Sequence, residues 1–262
     1  MARFYPLFSG SSGNCVVIGS ATEGVLVDVG VSARRIDTAL RERGIPPSYI
    51  KAILITHEHI DHIAGLKVLT KRYGWTVCAT RGTMEYLLQK DLIHPSTPLM
   101  ALTGKFTVGD LQVQNFATSH DSRESCGFRI DMVGERSAAV CTDTGVMTPE
   151  ALAALRRCDY VYIESNHDMD MLWHGPYPYQ LKKRIASPHG HLSNTDCAML
   201  LPTLLKQGCT RFTLAHLSEQ NNDPRLAYQT AAASLVSAGA KLDVDCILKV
   251  AAPVACEGVT IF

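Results

Sequence analysis

The first part of the chain alternates short apolar runs with polar and glycine-containing turns. The runs are rich in Val and Ile, which is typical of buried β-strands. The predicted strands cover residues 15–18, 24–29, 52–55 and 76–79. Between them, apolar positions recur at helical spacing over residues 32–43 and 62–73, and a glycine follows each stretch, as is common at a helix C-terminus.

The second part of the chain continues the alternation. Strands are predicted at 105–117, 127–133, 137–141, 160–164 and 212–215, and helices at 149–157, 194–207 and 224–238. Neither a fixed-period repeat nor a low-complexity linker interrupts the chain. We therefore expect one α/β domain over residues 1–262, with two similar halves and helices covering the sheets. Residues 165–190 lack a regular pattern and predict a long functional loop.

The composition is that of a folded globular chain. Hydrophobic residues make up 46% and charged residues 19% of the 262 positions, which supplies a core and excludes intrinsic disorder. Lys and Arg together number 25, as do Asp and Glu, so the formal net charge is zero. Without a global positive field, any binding of nucleic acid has to be local. Ten histidines are unusual in this background and direct attention to metal or proton chemistry.

Nine cysteines are spread from Cys15 to Cys256 without a C-x-x-C pair. An odd number at irregular spacing fits neither a disulfide framework nor a zinc ribbon, so we expect a reducing, cytoplasmic environment. The first residues lack a secretion-type apolar segment, and no stretch approaches the roughly 18 apolar residues of a membrane span. We therefore expect neither export nor membrane insertion.

The strongest chemical signal directly follows the predicted strand 52–55. His57, His59, Asp61 and His62 occur in H-x-H-x-D-H spacing, which has a chance probability on the order of one in a thousand in such a chain. Side chains alternate in an extended strand, so His57 and His59 point the same way and can bind one ion together. Asp61 and His62 lie where the chain turns into a helix and offer ligands to a second ion.

The alternative is a polar loop whose side chains only cap the following helix. A cap needs Asp61 alone and leaves three imidazoles unexplained, so a metal centre is the better interpretation. The motif resembles that of the metallo-β-lactamase superfamily of hydrolases, which implies an αββα sandwich. Further candidate ligands follow strand-like runs at His120, Asp143 and His216, and Asp28 matches the early aspartate of that superfamily.

The resemblance implies two divalent metal ions per chain, Mn or Zn, because imidazole and carboxylate accept both. Such ions lower the pKa of a shared water and stabilise negative charge on the attacked group, so the reaction class is metal-assisted hydrolysis. Asp61, Asp143 and His191 are expected in catalysis, and Asp28 is expected to orient a ligand imidazole. The implied ligands are His57, His59 and His120 for one ion, Asp61, His62 and His216 for the other, and Asp143 as the bridge.

Three polar segments outside this ligand set indicate a phosphorylated substrate. Residues 9–14 form a small-residue loop whose backbone N–H groups can face an anion. Residues 164–168 follow a strand, and residues 187–194 combine two imidazoles with a helix N-terminus that Ser193 can cap. The candidate phosphate contacts are Ser11, Ser12, Asn14, Asn166, His167, His191 and Ser193.

An aromatic and basic stretch lies between the last two segments. Trp173 and Tyr179 precede three consecutive cations, Lys182, Lys183 and Arg184. A single-stranded nucleic-acid groove requires rings that stack on bases and cations that contact the backbone. A solvated basic helix is the alternative for this stretch taken alone.

Together these segments resemble the small exonuclease branch of the superfamily, the WalJ/YycJ type, over nearly the whole chain. The resemblance implies a 5′→3′ exonuclease that acts on 5′-phosphorylated DNA ends, single-stranded or duplex, in repair. His191 also resembles the histidine of the larger β-CASP nucleases, but no segment here is long enough for their inserted domain. An RNA-processing role is therefore disfavoured, while RNA as a substrate stays open.

Three alternatives stay open at this stage. The chain could be a ribonuclease, or a hydrolase of a small phosphodiester or thioester on the same scaffold. A third alternative is a non-catalytic nucleic-acid-binding module that the metals only stabilise. The complete ligand set argues against that module, because structural metal sites are typically closed four-ligand sites. The sequence does not indicate an oligomeric state.

Overall fold

The computed structural model describes residues 1–132, 134, 136–254 and 260–262. Within them, the strands form two seven-stranded sheets. The first sheet has the spatial order β14 (Thr260–Ile261), β1 (Arg3–Phe8), β2 (Cys15–Gly19), β3 (Gly24–Val27), β4 (Ile50–Leu54), β5 (Thr76–Ala79) and β6 (Leu99–Ala101). The second has the order β13 (Ile247–Val250), β12 (Arg211–Ala215), β11 (Tyr160–Glu164), β10 (Arg136–Cys141), β9 (Cys126–Met132), β8 (Leu111–Ala117) and β7 (Lys105–Val108).

Helices follow the strands along the chain, and several begin at clear caps. Ser193, Thr148 and Asp223 each accept a backbone N–H with the side chain at a helix N-terminus. No helix in the described part of the chain is long and apolar enough to cross a membrane. The helices are α1 (Ala33–Glu42), α2 (Ile60–Ile63), α3 (Leu66–Tyr73), α4 (Arg81–Gln89), α5 (Pro149–Leu155), α6 (Met169–His174), α7 (Tyr179–Ile185), α8 (Asn194–Lys206) and α9 (Pro224–Ser237), with a short 3₁₀ turn at Pro47–Tyr49.

Both sheets change from antiparallel to parallel pairing at a comparable point. In the first sheet β1, β2 and β3 are antiparallel and β3 to β6 are parallel. In the second sheet β7 to β10 are antiparallel and β10 to β13 are parallel. The two halves therefore have the similar order that the sequence predicts.

Three apolar clusters separate the layers of the molecule. The central cluster lies between the sheets, where the rings of Phe4 and Tyr160 stack at 4.1 Å and Phe128 is fully buried. A second cluster packs helix residues such as Ile36 against the first sheet, and a third packs Leu201 and its neighbours against the second sheet. Burial of apolar side chains on both faces of each sheet explains the αββα sandwich, and the predicted fold class is confirmed.

Two predicted elements next to the H-x-H-x-D-H motif have different bounds in the structure. The predicted strand 24–29 stops one residue before Asp28, which adopts a left-handed backbone conformation with φ of 59°. The predicted helix 62–73 is two helices, α2 and α3, that are separated at Gly65. The N–H of Gly65 donates to the carbonyl of Val29, so local contacts with the preceding loop override the helical pattern.

Other differences concern the length and number of elements. The predicted strand 105–117 is a hairpin of β7 and β8, and the predicted loop 165–190 contains α6 and α7. The predicted strand 127–133 corresponds to β9, and Val133 lies outside the described residues. Elements β1, α4 and β6 were not predicted, and no bounds were predicted for β13 and β14. The remaining predicted elements agree within two residues at each end.

Candidate active site

The candidate site lies where parallel strands of both sheets end. Asp28 follows β3, the motif at 57–62 follows β4, Asp143 follows β10 and His216 follows β12. The carboxyl ends of parallel strands meet at one edge of a sheet, so residues far apart in sequence converge here. Asp28, Asp143 and His216 share a left-handed backbone, with φ of 59°, 56° and 55°. Non-glycine residues rarely adopt this conformation, and it lets the chain turn sharply as it leaves each strand.

Three imidazoles form the first of the two predicted ligand groups. His59 Nδ1 and His120 Nε2 face each other at 3.2 Å, and the ring centre of His57 lies 4.5 Å from that of His59 and 4.9 Å from that of His120. One ligand atom from each of the three lies within 4.8 Å of the other two. The structure therefore brings together the residues that the resemblance implies for one ion.

Asp61, His62 and His216 form the second group. Asp61 Oδ2 lies 3.3 Å from His62 Nε2 and 3.5 Å from His216 Nε2. Their ligand atoms also lie within 4.8 Å of one another.

Asp143 reaches both groups. Its Oδ2 lies 3.4 Å from His62 Nε2, and its Oδ1 lies 3.4 Å from His216 Nδ1 and 3.9 Å from His120 Nε2. The carboxylate thus has the position expected of a bridging ligand.

Several ligand atoms in this cluster have no hydrogen-bond partner among the described residues. His57 Nε2, His216 Nε2 and Asp143 Oδ2 are buried and unpartnered. Buried polar atoms are normally hydrogen-bonded, so unpartnered atoms within these closely spaced groups indicate a ligand. Imidazole nitrogens and carboxylate oxygens without a thiolate are a donor set that fits Zn or Mn. The residues present therefore fit divalent cations.

Asp28 fixes the ring of His62. Its buried carboxylate accepts hydrogen bonds from His62 Nδ1 at 2.8 Å, from the Thr56 hydroxyl at 2.8 Å and from the Thr56 N–H at 2.9 Å. Burial raises the pKa of Asp28, and the His62 ring opposes that shift. Because His62 Nδ1 donates to Asp28, its Nε2 is the nitrogen that faces the other ligands.

Glu164, at the end of β11, is a site residue to which the sequence analysis gave no role. Its carboxylate is fully buried and accepts hydrogen bonds from His191 Nδ1 and His216 Nδ1, both at 2.8 Å. It also accepts from the backbone N–H groups of Thr144 at 2.9 Å and Leu192 at 3.1 Å. The sequence feature that could have indicated Glu164 is a single acid at the end of an otherwise apolar strand. Fully buried carboxylates are rare unless they are partnered, so such an acid is a candidate site residue.

The electrostatics of the site favour positive charge. Burial opposes ionisation of Asp61, but the His62 and His216 rings outweigh it and hold the pKa of Asp61 well below its usual range. Burial likewise disfavours the charged form of His216, yet Asp143, Asp61 and Glu164 raise its pKa to about 10. Ionised carboxylates around imidazole rings attract cations, as a metal centre requires.

The loop at residues 9–14 packs against the metal motif through Asn14. The Asn14 amide nitrogen lies 3.1 Å from His62 Nε2, and its backbone N–H donates to the Asp61 carbonyl at 2.8 Å. Ser11 and Ser12 are exposed at the turn. Of the three residues predicted from this loop, Asn14 is the one placed beside the cluster.

His191 lies at the mouth of the site, beside His120 and His216. Its ring centre is 4.9 Å from that of His120 and 5.3 Å from that of His216, and its side chain keeps 19% of its surface exposed. Among the predicted phosphate contacts it is thus both close to the ligands and open to solvent.

His167 and Ser193 lie side by side on two paired segments. The two residues form a parallel bridge, and one residue further on the N–H of Asn194 donates to the His167 carbonyl. The Ser193 hydroxyl already caps α8, where it accepts the Asp196 N–H at 3.1 Å and donates to the Asp196 carboxylate at 2.6 Å. His167 is 1% exposed, and neither ring nitrogen has a partner among the described residues. Burial lowers its pKa to about 4, so the ring is neutral.

Asn166 differs from its predicted role as a phosphate contact. Its side-chain amide donates to the His216 carbonyl at 2.8 Å, and its own carbonyl accepts from Ser218 and Asn222. The residue is buried, and it fixes the loop that carries His216.

The three predicted cations on α7 have different surroundings. The Lys182 ammonium donates to the Trp173 carbonyl at 2.8 Å, and Lys183 lies 5.7 Å from the centre of the Tyr179 ring. Arg184 forms an ion pair with Asp121, which neighbours the ligand His120 in sequence. Of the three cations, Arg184 is therefore the one whose ion pair places it next to the candidate metal ligands.

Glu58, inside the metal motif, was not predicted as a site residue. Its buried carboxylate accepts the Arg123 N–H at 2.7 Å and the Thr83 hydroxyl at 3.4 Å. It therefore ties the motif both to α4 and to the loop that carries His120.

Comparison with known proteins gives a consistent result. The profile described as the Beta-lactamase superfamily domain matches residues 24–217. The chain is 36% identical over 249 residues to the exodeoxyribonuclease WalJ of Streptococcus pneumoniae serotype 2, covering 93% of this chain and 91% of that protein. It is 33% identical over 228 residues to the exodeoxyribonuclease YycJ of Bacillus anthracis, covering 86% of each.

Among solved structures, the metallo-beta-lactamase fold protein YhfI of Bacillus subtilis is similar with a TM-score of 0.71. It covers 97% of this chain and 98% of its own, at 15% identity. Zinc-bound PqqB of Methylobacterium extorquens is similar with a TM-score of 0.70, at 16% identity, and covers 99% of this chain and 100% of its own. At these identities the likeness concerns the fold.

Proposed function

Because the chain belongs to the beta-lactamase superfamily and is related along most of its length to the WalJ and YycJ exodeoxyribonucleases, we propose that it removes nucleotides from 5′-phosphorylated DNA ends. The single observation that supports this most strongly is the convergence of all seven predicted ligands in a chain that is 36% identical to an exodeoxyribonuclease. We extend the proposal to DNA repair as the setting and to residues 1–262 as one catalytic domain. We also propose the cytoplasm, because the eight described cysteines are buried free thiols; Cys256 lies outside the described residues.

The metal ligands in this proposal are those predicted from the sequence. His57, His59 and His120 would hold one divalent cation, Asp61, His62 and His216 the other, and Asp143 would contact both. When bound, such ions supply a hydroxide nucleophile near neutral pH and stabilise charge that develops on the phosphate. Zn and Mn both suit these donors, and we propose one of them as the working metal.

His191 and Glu164 act together at the mouth of the site. The His191 and His216 rings lower the pKa of Glu164, against the effect of its burial, so the carboxylate is ionised and accepts a hydrogen bond from the Nδ1–H of His191. This leaves Nε2 of His191 to donate, when protonated, to a phosphate oxygen of the substrate.

The terminal 5′-phosphate would bind beside His191, near the N-terminus of α8. His191 and Ser193 are two residues apart in an extended segment, so they share a face with His167 on the paired segment. Backbone N–H groups at the start of a helix favour an anion. The unpartnered nitrogens of His167 offer a further donor there.

Digestion of DNA labelled separately at its 5′ and 3′ ends tests the proposal. With Mn or Zn present, we expect release of mononucleotides from the 5′ end and a clear preference for 5′-phosphorylated ends.

Two variants test the roles of single residues in the same assay. His191→Ala should reduce the preference for 5′-phosphorylated ends. Asp143→Asn should lower kcat by at least about 1,000-fold, because this change removes the carboxylate that contacts both ligand groups.

Three results would contradict the proposal. Cleavage of a circular substrate would show an endonuclease, and faster turnover of RNA than of DNA would show a ribonuclease. Hydrolysis of a chromogenic phosphodiester or a thioester without any hydrolysis of DNA would favour a small-molecule hydrolase.

A further inference from the structure

A groove of about 640 Å³ opens beside His59 of the three-histidine group, and His191 is not among its lining residues. We call it the α4 groove; its lining includes Glu58, His59, Ile60, Tyr86 and Lys90. Its volume lies within the roughly 300–1,000 Å³ of typical small-molecule sites. Because His59 lines both the groove and the ligand cluster, the groove continues directly from the metal centre.

The groove combines aromatic, apolar and cationic groups. Tyr86 is half-buried, with the Arg123 guanidinium 5.8 Å from its ring centre. Ile60 is 70% exposed although it stands between the ligands His59 and Asp61. A ring that can stack on a base and an exposed apolar side chain beside it form a platform for a nucleotide.

The charge around the platform is complementary to phosphate. The lysine and arginine ion pairs of the described residues do not involve Lys90 or Arg123. Three nearby acids have partners: Asp91 pairs with Lys67, the Glu124 carboxylate accepts the Gly82 N–H at 2.6 Å, and the Glu58 carboxylate, which lines the groove, accepts the Arg123 N–H at 2.7 Å.

The order of the imidazole rings indicates the path that a bound DNA strand would follow into the groove. The His59 ring lies 5.0 Å from His120, and the His120 ring lies 4.9 Å from His191. A strand whose terminal phosphate is at His191 would pass over His120 and then reach His59 and the groove.

From this order and the charge, we propose that the α4 groove binds the part of a single DNA strand that is retained after cleavage. This inference rests on the proposed function. Tyr86 stacks on a base of the retained strand, and Lys90 and Arg123 contact its phosphates. Binding should therefore increase with the length of the strand beyond the first phosphodiester.

The test compares 5′-phosphorylated DNA of two and eight nucleotides. For the unaltered chain we expect a lower KM with the octanucleotide. Tyr86→Ala and Lys90→Ala should each raise that KM about tenfold, with a much smaller effect on the dinucleotide. Tyr86→Phe keeps the ring and should retain most of the affinity, and Lys206→Ala, at the far end of α8, is the matched control for removing one exposed lysine.

A second measurement is independent of turnover. Anisotropy titrations of the metal-loaded chain with a fluorescent phosphorothioate octanucleotide should show the same order of affinities. An octanucleotide KM and Kd within twofold of the unaltered values in both Tyr86→Ala and Lys90→Ala would overturn the inference. An equal rise in KM for the dinucleotide would also overturn it, because the groove would then not serve the retained strand. Absence of DNA hydrolysis by the unaltered chain would instead contradict the proposed function, and the titrations would still test the groove.

Discussion

At the scale of single residues, buried carboxylates determine where the imidazoles point. Asp28 accepts from His62, and Glu164 accepts from both His191 and His216. Each carboxylate fixes which ring nitrogen is protonated and so which one faces a cation or the substrate. Neither acid belongs to the two ligand groups, yet both control their orientation.

Glu164→Gln should lower kcat by about 10- to 100-fold, because residues that orient ligands typically have effects of that size. The amide cannot accept all four hydrogen bonds that the carboxylate accepts, so the His191 and His216 rings lose their fixed orientation. Steady-state kinetics on 5′-phosphorylated DNA, with bound metal counted by mass spectrometry, measures the effect. Glu42→Gln, an exposed change on α1, is the matched control. An unchanged kcat would show that Glu164 does not orient His191 and His216 for the reaction.

His167 makes the stability of the fold sensitive to acid. Burial lowers its pKa from 6.5 to about 4, so the stabilising effect of the neutral ring is complete above the unfolded-state pKa and is lost as pH falls from about 6.5 toward 4. When the pH is lowered from 7 to 5, protonation of this residue in the unfolded state should reduce the free energy of unfolding of the unaltered chain by about 2 kcal/mol. Urea unfolding at both pH values should show a smaller loss for His167→Gln. Equal losses in the two proteins would contradict the neutral, buried ring.

At the scale of elements, the connections between strand ends and the loops that follow position the site. Backbone hydrogen bonds join Gly30 to Asn14, Asn14 to Asp61 and Val29 to His62, each at 2.8 Å. The first loop, the end of β3 and the start of α2 are thus one hydrogen-bonded unit. The backbone of the ligands is therefore held by the preceding strands.

Gly30→Ala should disrupt this unit. An added Cβ would lie 1.6 Å from the Asp61 carbonyl oxygen and 2.6 Å from the Asn14 nitrogen, so the metal motif must shift. We expect kcat/KM to fall about 100-fold, together with loss of metal from the group that includes Asp61. Gly44→Ala is the control, because nothing lies within 4 Å of the new Cβ, and the φ of 64° at Gly44 strains alanine without any close contact. Equal activity in the two variants would contradict the close-contact explanation.

The sequence predicted the parts of the site that are local in the chain. The H-x-H-x-D-H motif and its strand were evident because ligands that share a strand end recur at short spacing. Glu164 was given no role because its partners, such as Thr144 and His216, come from distant segments that only the fold brings together. Helix α4 was not predicted because Gly82 and Thr83 weaken its first turn, and with it the α4 groove was overlooked. Strand β1 contains Pro6, which obscured the strand pattern.

At the scale of the whole molecule, both sheets of the sandwich contribute residues to the candidate metal site. The first sheet contributes the ligands that follow β4, and the second contributes Asp143 and His216. Cations that bind both sets should stabilise the sandwich as a whole, because they bind the folded state and not the unfolded chain.

Removal of metal should therefore lower global stability. At a free cation concentration of about 1,000 times Kd, one site contributes about 4 kcal/mol to the free energy of unfolding. Urea unfolding of the metal-loaded and chelator-treated chain, followed by circular dichroism, measures the difference. The Asp143→Asn variant should show a smaller difference between the two conditions. Identical midpoints for the loaded and stripped chain would show that the cations do not link the two sheets.

The left-handed backbone at Asp28, Asp143 and His216 has a consequence for metal exchange. These three backbone turns follow β3, β10 and β12 and hold the strand ends in place through the chain itself. We therefore expect that one divalent ion can replace another without refolding of these segments. The working metal of this protein should consequently follow the cation supply of its surroundings, and a protein purified from manganese-rich and from zinc-rich cultures should have the same fold and different metal contents.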